Sequence, residues 1–487
     1  MNNRKLPIVI AGFALAALAA GQAYDGLTLY NPMMSRNARL ITNDGQAVNT
    51  WYCNSNPAYM PYLMPDSTMW RPGVYSAASL RPAAYGGLIE RYSWDGDVIQ
   101  SFTWSGANYI QHHDIQPMPN GNILVVSVDR YTRAEAQALG RVSISGSYIW
   151  SEMIVEYDPV ADSVVWAWRV WDHLVQNVDP AKPNYGVISE YPGRLDINVG
   201  AVQFQGDWIH VNAVDYWEEE DLIVFCSHYL HELYVIDHST TTEEARGSTG
   251  GRHGRGGDFL YRWGNPQNYG RGTSEDRHFY VVHGANWIQP GLPGAGNILV
   301  FNNGDRPGSA NDYSVVEEIT PPRDSLGGFH IHSDSAFGPA EPTWFYQNPG
   351  AFYSNHLSGA FRMPNGNTFM IEGTSGRMTE VTAEKQVVWQ YNIGSQTGRA
   401  IKYPRDYVVG VEAERPAPHA ARPPHATIAR GRLFLPGEGG RAELLDAAGR
   451  RVMVLASGAN DVSRLAPGVY FVRAGGPAGA TRVVLAR

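Results

Sequence analysis

Apolar positions along this chain fall in short runs that alternate with polar ones and stop at Asn/Gly or Asp/Gly turns, a spacing that predicts β-strands. Three segments repeat one form: PNGNILVV from Pro119, GAGNILVF from Gly294 and PNGNTFMI from Pro364. Each sets an Asn/Gly turn before an apolar run, as in a hairpin entering a buried strand. A second form, strand, turn and Trp-bearing strand, recurs as GLIERYSWDGDVIQSFTW from Gly87, MIVEYDPVADSVVWAW from Met153 and MTEVTAEKQVVWQY from Met378. ARLITNDGQAVNTW from Ala38 has the same shape.

Each unit supplies about four strands, and four strands every ~40 to 50 residues is how a propeller blade is written. Because one half-unit precedes the first full one, the N-terminal strands are expected to complete a blade begun near the C-terminal end and so remove the sheet edges. The expectation is an all-β fold with a six-bladed β-propeller over residues 24–411, five or seven blades remaining open. A β-sandwich array or β-helix is the competing architecture, against which the long period and the recurring Trp count.

After Val411 the composition turns to Pro, Ala, Arg and His (ERPAPHAARPPHAT from Glu414), which cannot build a core and predicts an extended linker over 412–427. Residues 428–487 return to short strands, GRLFLP, GRAELLDAAGRRVMVL, GVYFVRAG and TRVVLAR, expected to form a small β-sandwich. At the other end, a polar basic start (Asn2, Asn3, Arg4, Lys5), an apolar run from Leu6 to Ala20 and small residues at Gly21 and Ala23 predict a cleaved signal peptide over 1–23. An uncleaved membrane anchor is the alternative, though the run is short for a span of ~20 residues.

Composition supports the all-β reading: 17% charged residues, with 52 Gly, 31 Pro, 14 Trp and 27 Tyr, suit many strands and tight turns. A net charge of -9, with no basic stripe, argues against nucleic acid. Cys53 and Cys226 leave room for one disulfide in an oxidising compartment.

Candidate chemistry centres on histidines at the starts of unit-opening strands, which border the central channel of a propeller. They are His112 and His113 in QHHDIQPMPNGN, His210 in WIHVNAVDY and His283 in VVHGANWIQPG, with His228 in FCSHYLHELYVID. One such histidine is more often a structural hydrogen-bonding group, but equivalent placement in successive units points to a shared site. Strand alternation lets only one of His112 and His113 point inward. No H-E-x-x-H, G-x-x-x-x-G-K or G-x-S-x-G appears, and neither a metal nor a cofactor is expected. GRHGRGGD from Gly251 reads as a flexible loop and Glu218 to Asp221 as a solvated turn.

These motifs resemble the bacterial arylsulfate sulfotransferase family: H-H-D-x-x-x-x-P-N-G-N, H-x-N-A-x-x-Y, a later His before a strand ending at Phe301, Asn303, Gly304 and Asp305, E-G-T-S-G-R-x-x-E-V from Glu372 to Val381, and R-A-x-x-Y-P from Arg399 to Pro404. The resemblance implies nucleotide-independent transfer of a sulfuryl group from an aryl sulfate to a phenol through a sulfated histidine. His283 matches the nucleophile, His210 and Asn212 the pair that holds the moving group, and His112 or His113 the remaining family histidine. One departure stands out: the family's Ser-Arg is Ser227-His228 here, and His228 must be protonated to stand in for the fixed positive charge beside the sulfate; either another arginine fills in, with Arg306 and Arg377 as candidates, or the activity has changed.

The tail resembles sorting domains of the type IX secretion pathway through Asp446, Gly449, Arg450, Val452, Gly468 and Tyr470; an accessory binding module shares the pattern. That resemblance implies export through the periplasm to the cell surface or beyond, with the type IX machinery as partner and no stable membrane span. Two functions follow: an exported sulfotransferase taking aryl sulfates and phenols, or a non-catalytic propeller binding a sulfated or aromatic ligand or a surface protein.

Overall fold

The Asn/Gly hairpins form where the sequence places them, and their second asparagine holds each sheet together. Gly121, Gly296 and Gly366 take φ of 91°, 87° and 88°, the left-handed turn conformation that glycine enters without a Cβ penalty. The asparagine that follows each then donates to a glutamate on the third strand of its own sheet: Asn122 Nδ2 to Glu156 at 2.6 Å, Asn297 Nδ2 to Glu318 at 2.5 Å, and Asn367 Nδ2 to Glu380 at 2.6 Å. The repeat is therefore a side-chain clamp across three strands. Asn122→Ala, which removes one charge-assisted bond, is expected to cost about 1–2 kcal/mol, read as a lower urea midpoint with unchanged m-value.

In this computed structural model the described residues are 21–408, apart from 310, 326 and 331–333, and 428–486, apart from 431, 436–440, 457 and 475–480. The expected leader, up to residue 20, and the expected linker fall outside them. The chain divides into two compact units, 1–411 and 412–487.

Within the first unit, the described residues form six four-stranded antiparallel sheets and a two-stranded parallel pair. Helix is confined to Arg133–Ala138, started by a Thr132/Glu135 capping box, and a few 3-10 turns. The leading strands of the six sheets are Tyr62–Leu63, Tyr109–Pro117, Val211–Trp217, Val282–Trp287, Gly359–Arg362 and Thr397–Pro404. Val211–Trp217 packs between Tyr109–Pro117 and Val282–Trp287, and Gly359–Arg362 between Val282–Trp287 and Thr397–Pro404. Tyr403 Oη and Tyr62 Oη complete the circuit, bonding Leu63 N at 3.1 Å and Asp114 at 2.7 Å.

As the half-unit at Ala38 predicts, the final leading strand completes a sheet from the other end of the unit: Thr397–Pro404 pairs antiparallel with Gly26–Pro32. The recurrent tryptophans join sheet to sheet. From the outer strands, Trp51 Nε1 donates to Ser93 O (2.9 Å), Trp166 to Thr240 (3.1 Å), Trp263 to Pro339 O (2.8 Å), Trp344 to Ala383 O (2.8 Å) and Trp389 to Asn43 O (2.9 Å). In the sheet that ends at Val98–Thr103, Phe102 takes this position, its ring stacking on Tyr157 of the next sheet at 4.2 Å, and Trp104 just past the strand donates to Ser127 Oγ of that sheet at 3.0 Å. The interiors between sheets are apolar and close-packed, as around Trp168, Val214, Phe225 and Tyr234.

In the second unit, the described strands make a five-stranded sheet and a two-stranded one, over a core of Leu433, Ala442, Leu444, Leu455, Val462 and Val472. Its D-x-x-G-R segment is a turn: Asp446 Oδ1 accepts from the Ala448 and Arg450 backbone, and Arg450 folds back on the carboxylate. Cys53 and Cys226 are separate buried thiols, so the disulfide that the sequence allowed does not form. Among the described residues no helix is long and apolar enough to cross a membrane.

Candidate active site

Three leading strands are irregular at the same level. Their pairing registers shift between Gln111 and Ile115, between Val211 and Ala213, and between His283 and Asn286. His113 (φ 49°), His210 (φ 58°) and Gly284 (φ 66°) take the left-handed conformation there. Bulges re-aim side chains, and here they turn imidazoles from three sheets into one row. Ring centroids are 4.7 Å apart for His113 and His210, 4.9 Å for His210 and His228, and 5.2 Å for His228 and His283.

Of the two adjacent histidines, His113 stands in the row against His210 and His112 lies behind it. With alternation broken, the two rings meet, Nδ1 to Nδ1 at 2.8 Å. His112 Nε2 lies 2.9 Å from Glu152 Oε2, so the carboxylate holds a proton at that nitrogen and leaves Nδ1 to accept from His113. Glu152 in turn receives the Val211 backbone N–H at 3.0 Å, binding the His113 strand to the His210 strand. His210 is oriented by Asp207, 2.6 Å from its Nδ1.

His283 has the most fully determined tautomer. Asn303 Nδ2 donates to the carbonyls of Ser354 and Leu357, which fixes its amide, so Asn303 Oδ1 faces His283 Nδ1 as an acceptor at 2.7 Å. The proton therefore sits on Nδ1, and the Nε2 lone pair accepts the Leu357 N–H at 3.2 Å. Burial holds the ring far below the ordinary histidine range, at about 3, and lowers His113 and His228 well below it as well, with neighbouring imidazoles adding to the effect. His228 Nδ1 is buried with no hydrogen-bond partner among the described residues. His113, His228 and His283 are thus neutral imidazoles, set beside a His210 that is paired with Asp207, a cluster suited to nucleophilic attack and proton exchange.

Asn212 does not open onto this row. Its Nδ2 donates to Val282 O at 2.8 Å and its Oδ1 accepts from Cys226 Sγ at 3.2 Å, so it anchors the strand that carries His283. Arg306 and Arg377, the candidates for the missing fixed charge, are engaged elsewhere. Arg306 donates to the Tyr313 and Gly304 carbonyls and lies over the Tyr313 ring. Arg377 grips Glu372, Nη2 to Oε1 at 2.7 Å, and the Ala351 carbonyl.

The arginine beside the row is Arg399, which is 1% exposed. Its Nη2 donates to Asp114 and, at 3.0 Å, to Tyr62 Oη; its Nε is buried without a partner among the described residues. Its side chain packs against Gly284 and Gly359, where a Cβ would come within 3.4 Å and 2.7 Å of Arg399 Cδ. Burial pushes the Asp114 carboxyl up even with the guanidinium beside it. Arg399, Asp114 and Asn303 all stand within the sequence motifs, which do not signal their roles; for Glu152 and Asp207 the sequence carries no signal. Among the described residues no group of three or more His, Cys, Asp or Glu is arranged to hold a metal.

Solved structures resemble the chain at low similarity. A protein of unknown function from Bacteroides caccae is 10% identical, with 78% of this chain and 98% of that one covered and a TM-score of 0.42. A periplasmic gluconolactonase of Pseudomonas aeruginosa is also 10% identical, with 76% and 97% covered and a TM-score of 0.37. No curated protein matches the chain. The model of the arylsulfotransferase (ASST) family matches residues 19–407, which takes in all six sheets and every histidine of the row, and the chain belongs to that family.

Proposed function

We propose that the protein transfers a sulfuryl group from an aryl sulfate to a phenolic acceptor through a sulfated His283, at the axis of a six-bladed propeller formed by the six sheets. The carrying observation is the fixed tautomer of His283, with Nδ1–H on Asn303 and a lone pair on Nε2. Nε2 attacks sulfur, the S–O bond to the aryl group breaks, and the aryloxide leaves with a proton from the imidazolium form of His210, whose charge Asp207 balances. In the second half the same imidazole takes the acceptor's proton, the phenolic oxygen attacks sulfur, and the N–S bond electrons return to Nε2. The Leu357 N–H, which meets that lone pair, then donates to a sulfuryl oxygen, and Arg399 supplies the fixed positive charge nearby.

Purified protein given a chromogenic aryl sulfate and a phenol is expected to release the aryl chromophore and to yield the sulfated phenol. Release without a sulfated acceptor, or no release at all, would remove this reading.

His228, where the family carries arginine, makes anion binding depend on protons. Its neighbours are His210, His283, His231 and His356, all imidazoles, and its own pKa is depressed by burial among them. An arriving sulfate therefore brings a proton to it. The dissociation constant for inorganic sulfate is expected to rise up to about tenfold per pH unit from pH 6 to 8, and His228→Arg, with a permanent charge, to flatten that slope.

Export also belongs to this reading: residues 1–23 act as a signal peptide and the C-terminal unit, as a small sandwich, addresses the chain to type IX secretion. The Asp446 turn and the Gly468–Ala474 strand, both formed, support it.

A further inference from the structure

The leading strands that start with the histidines end at a cavity of about 680 Å³, within the range of small-ligand sites. Gln116 and Pro117 close one strand there, Asp215 and Tyr216 a second, and Asn286 and Trp287 a third. None of the histidines of the row is in its lining, and the Asp114, Arg399 and Tyr62 cluster lies between. The cavity is thus a separate space from the imidazole row, and the mechanism above makes no use of it.

Its wall has two chemical characters. Tyr62, Trp287, Phe361, Tyr403 and Tyr407 contribute aromatic surface, with Met64, Met118 and Ile401 filling between them. Set into this surface is the carboxyl of Asp215, 8% exposed, accepting from the Trp287 backbone N–H at 2.8 Å and Gln289 Nε2 at 3.1 Å. Among the described residues, the one cation lining the cavity, Arg91, is already paired with Asp66 at 2.6 Å. Arg399, behind the wall, is committed to Asp114. Glu218, also in the lining, adds negative charge. A buried carboxylate without a counter-ion is costly, and aromatic faces attract cations.

We propose that this cavity binds a small organic ammonium compound, an arylalkylamine, with its ammonium group on Asp215 and its ring among Tyr62, Trp287, Phe361 and Tyr403. The amine supplies the charge that the protein withholds from Asp215, and the aromatic wall takes both the cation's flank and the aryl ring. Burial raises the pKa of Asp215 to about 7, so the carboxyl is neutral below that pH and must lose its proton to receive the ammonium group. Affinity therefore strengthens from pH 6 to 8, by up to about tenfold per unit below 7 and little above it. Tyr62, Tyr216, Tyr403 and Tyr407 around it are phenols that stay protonated in this interval, and the charged groups near it are Glu218, Arg91 paired with Asp66, and Arg399 paired with Asp114.

Titration calorimetry on the full chain with 2-phenylethylamine, 2-phenylethanol and phenylacetate tests this. The amine is expected to bind at least about tenfold more tightly than the alcohol at pH 8, the carboxylate more weakly than either, and only the amine to show the pH step. Asp215→Asn is expected to bring amine and alcohol together and to erase the step; Phe361→Leu is expected to weaken both ligands and keep it. Equal binding of amine and alcohol, no amine binding, or an unchanged preference in Asp215→Asn would each overturn the proposal. The wild-type comparison decides the matter even where a variant does not fold. Because none of these ligands carries a sulfuryl group, the result is independent of sulfotransfer.

Discussion

His283→Ala is expected to lower aryl sulfate turnover by ~10³-fold or more, the scale on which removing a covalent nucleophile acts when the rest of its site remains. The variant should stay folded: His283 is buried in a wall of other imidazoles and its partners, Asn303 and Leu357, keep further hydrogen bonds of their own. Wild-type protein quenched during turnover should yield a peptide containing Val282–Trp287 that is heavier by one sulfuryl group, and the variant should not. His283→Asn sharpens the test. An amide of similar reach can still meet Asn303 and Leu357, so a purely structural histidine would be replaced at modest cost, whereas a nucleophile would not. Full turnover by His283→Asn would refute the covalent role.

The fold was legible because its signals are local. The Asn/Gly hairpin and the Trp of the outer strand each lie within one unit, and both have a physical role in the structure, since Asn122, Asn297 and Asn367 clamp three strands and the tryptophans reach the next sheet. Even the sheet shared between the ends of the unit was announced by an incomplete copy at Ala38. The site was legible in its histidines and illegible in its geometry. Period-two alternation assigns His112 and His113 to opposite faces, yet a register shift after Gln111 and the positive φ of His113 bring the rings together. Bulges leave little mark in a sequence without glycine at the kink, and here only Gly284 supplies one.

The arginine was harder still. Arg306 and Arg377 attract attention because they lie in the motifs nearest the histidines or in a repeated turn, but each is held by groups a few residues away, Arg306 by Tyr313 and Arg377 by Glu372. Arg399 reaches the site through Asp114, 285 positions earlier in the chain. Such a pairing is a consequence of joining the last leading strand to the first sheet, and no local pattern encodes it.

Arg399→Leu is expected to destabilise the first unit by about 3–5 kcal/mol, because it strands the Asp114 carboxyl, which is 0% exposed, without its cation. Tyr62 Oη and the Val214 backbone N–H, at 2.7 Å and 3.2 Å, would remain as donors to Asp114, so the loss is partial and folding persists in mild conditions. Adding Asp114→Asn to that variant removes the unpaired charge and should recover at least about half of the loss, a coupling readable as a double-mutant cycle from urea midpoints. Activity separates the two duties of the residue. If Arg399 also steadies the sulfuryl oxygens, the double variant regains stability while its turnover stays low by ~10²-fold or more, the usual cost of losing one preorganised donor. Recovery of stability and turnover together would make Arg399 a structural partner of Asp114 and leave the charge at the imidazole row to a protonated His228.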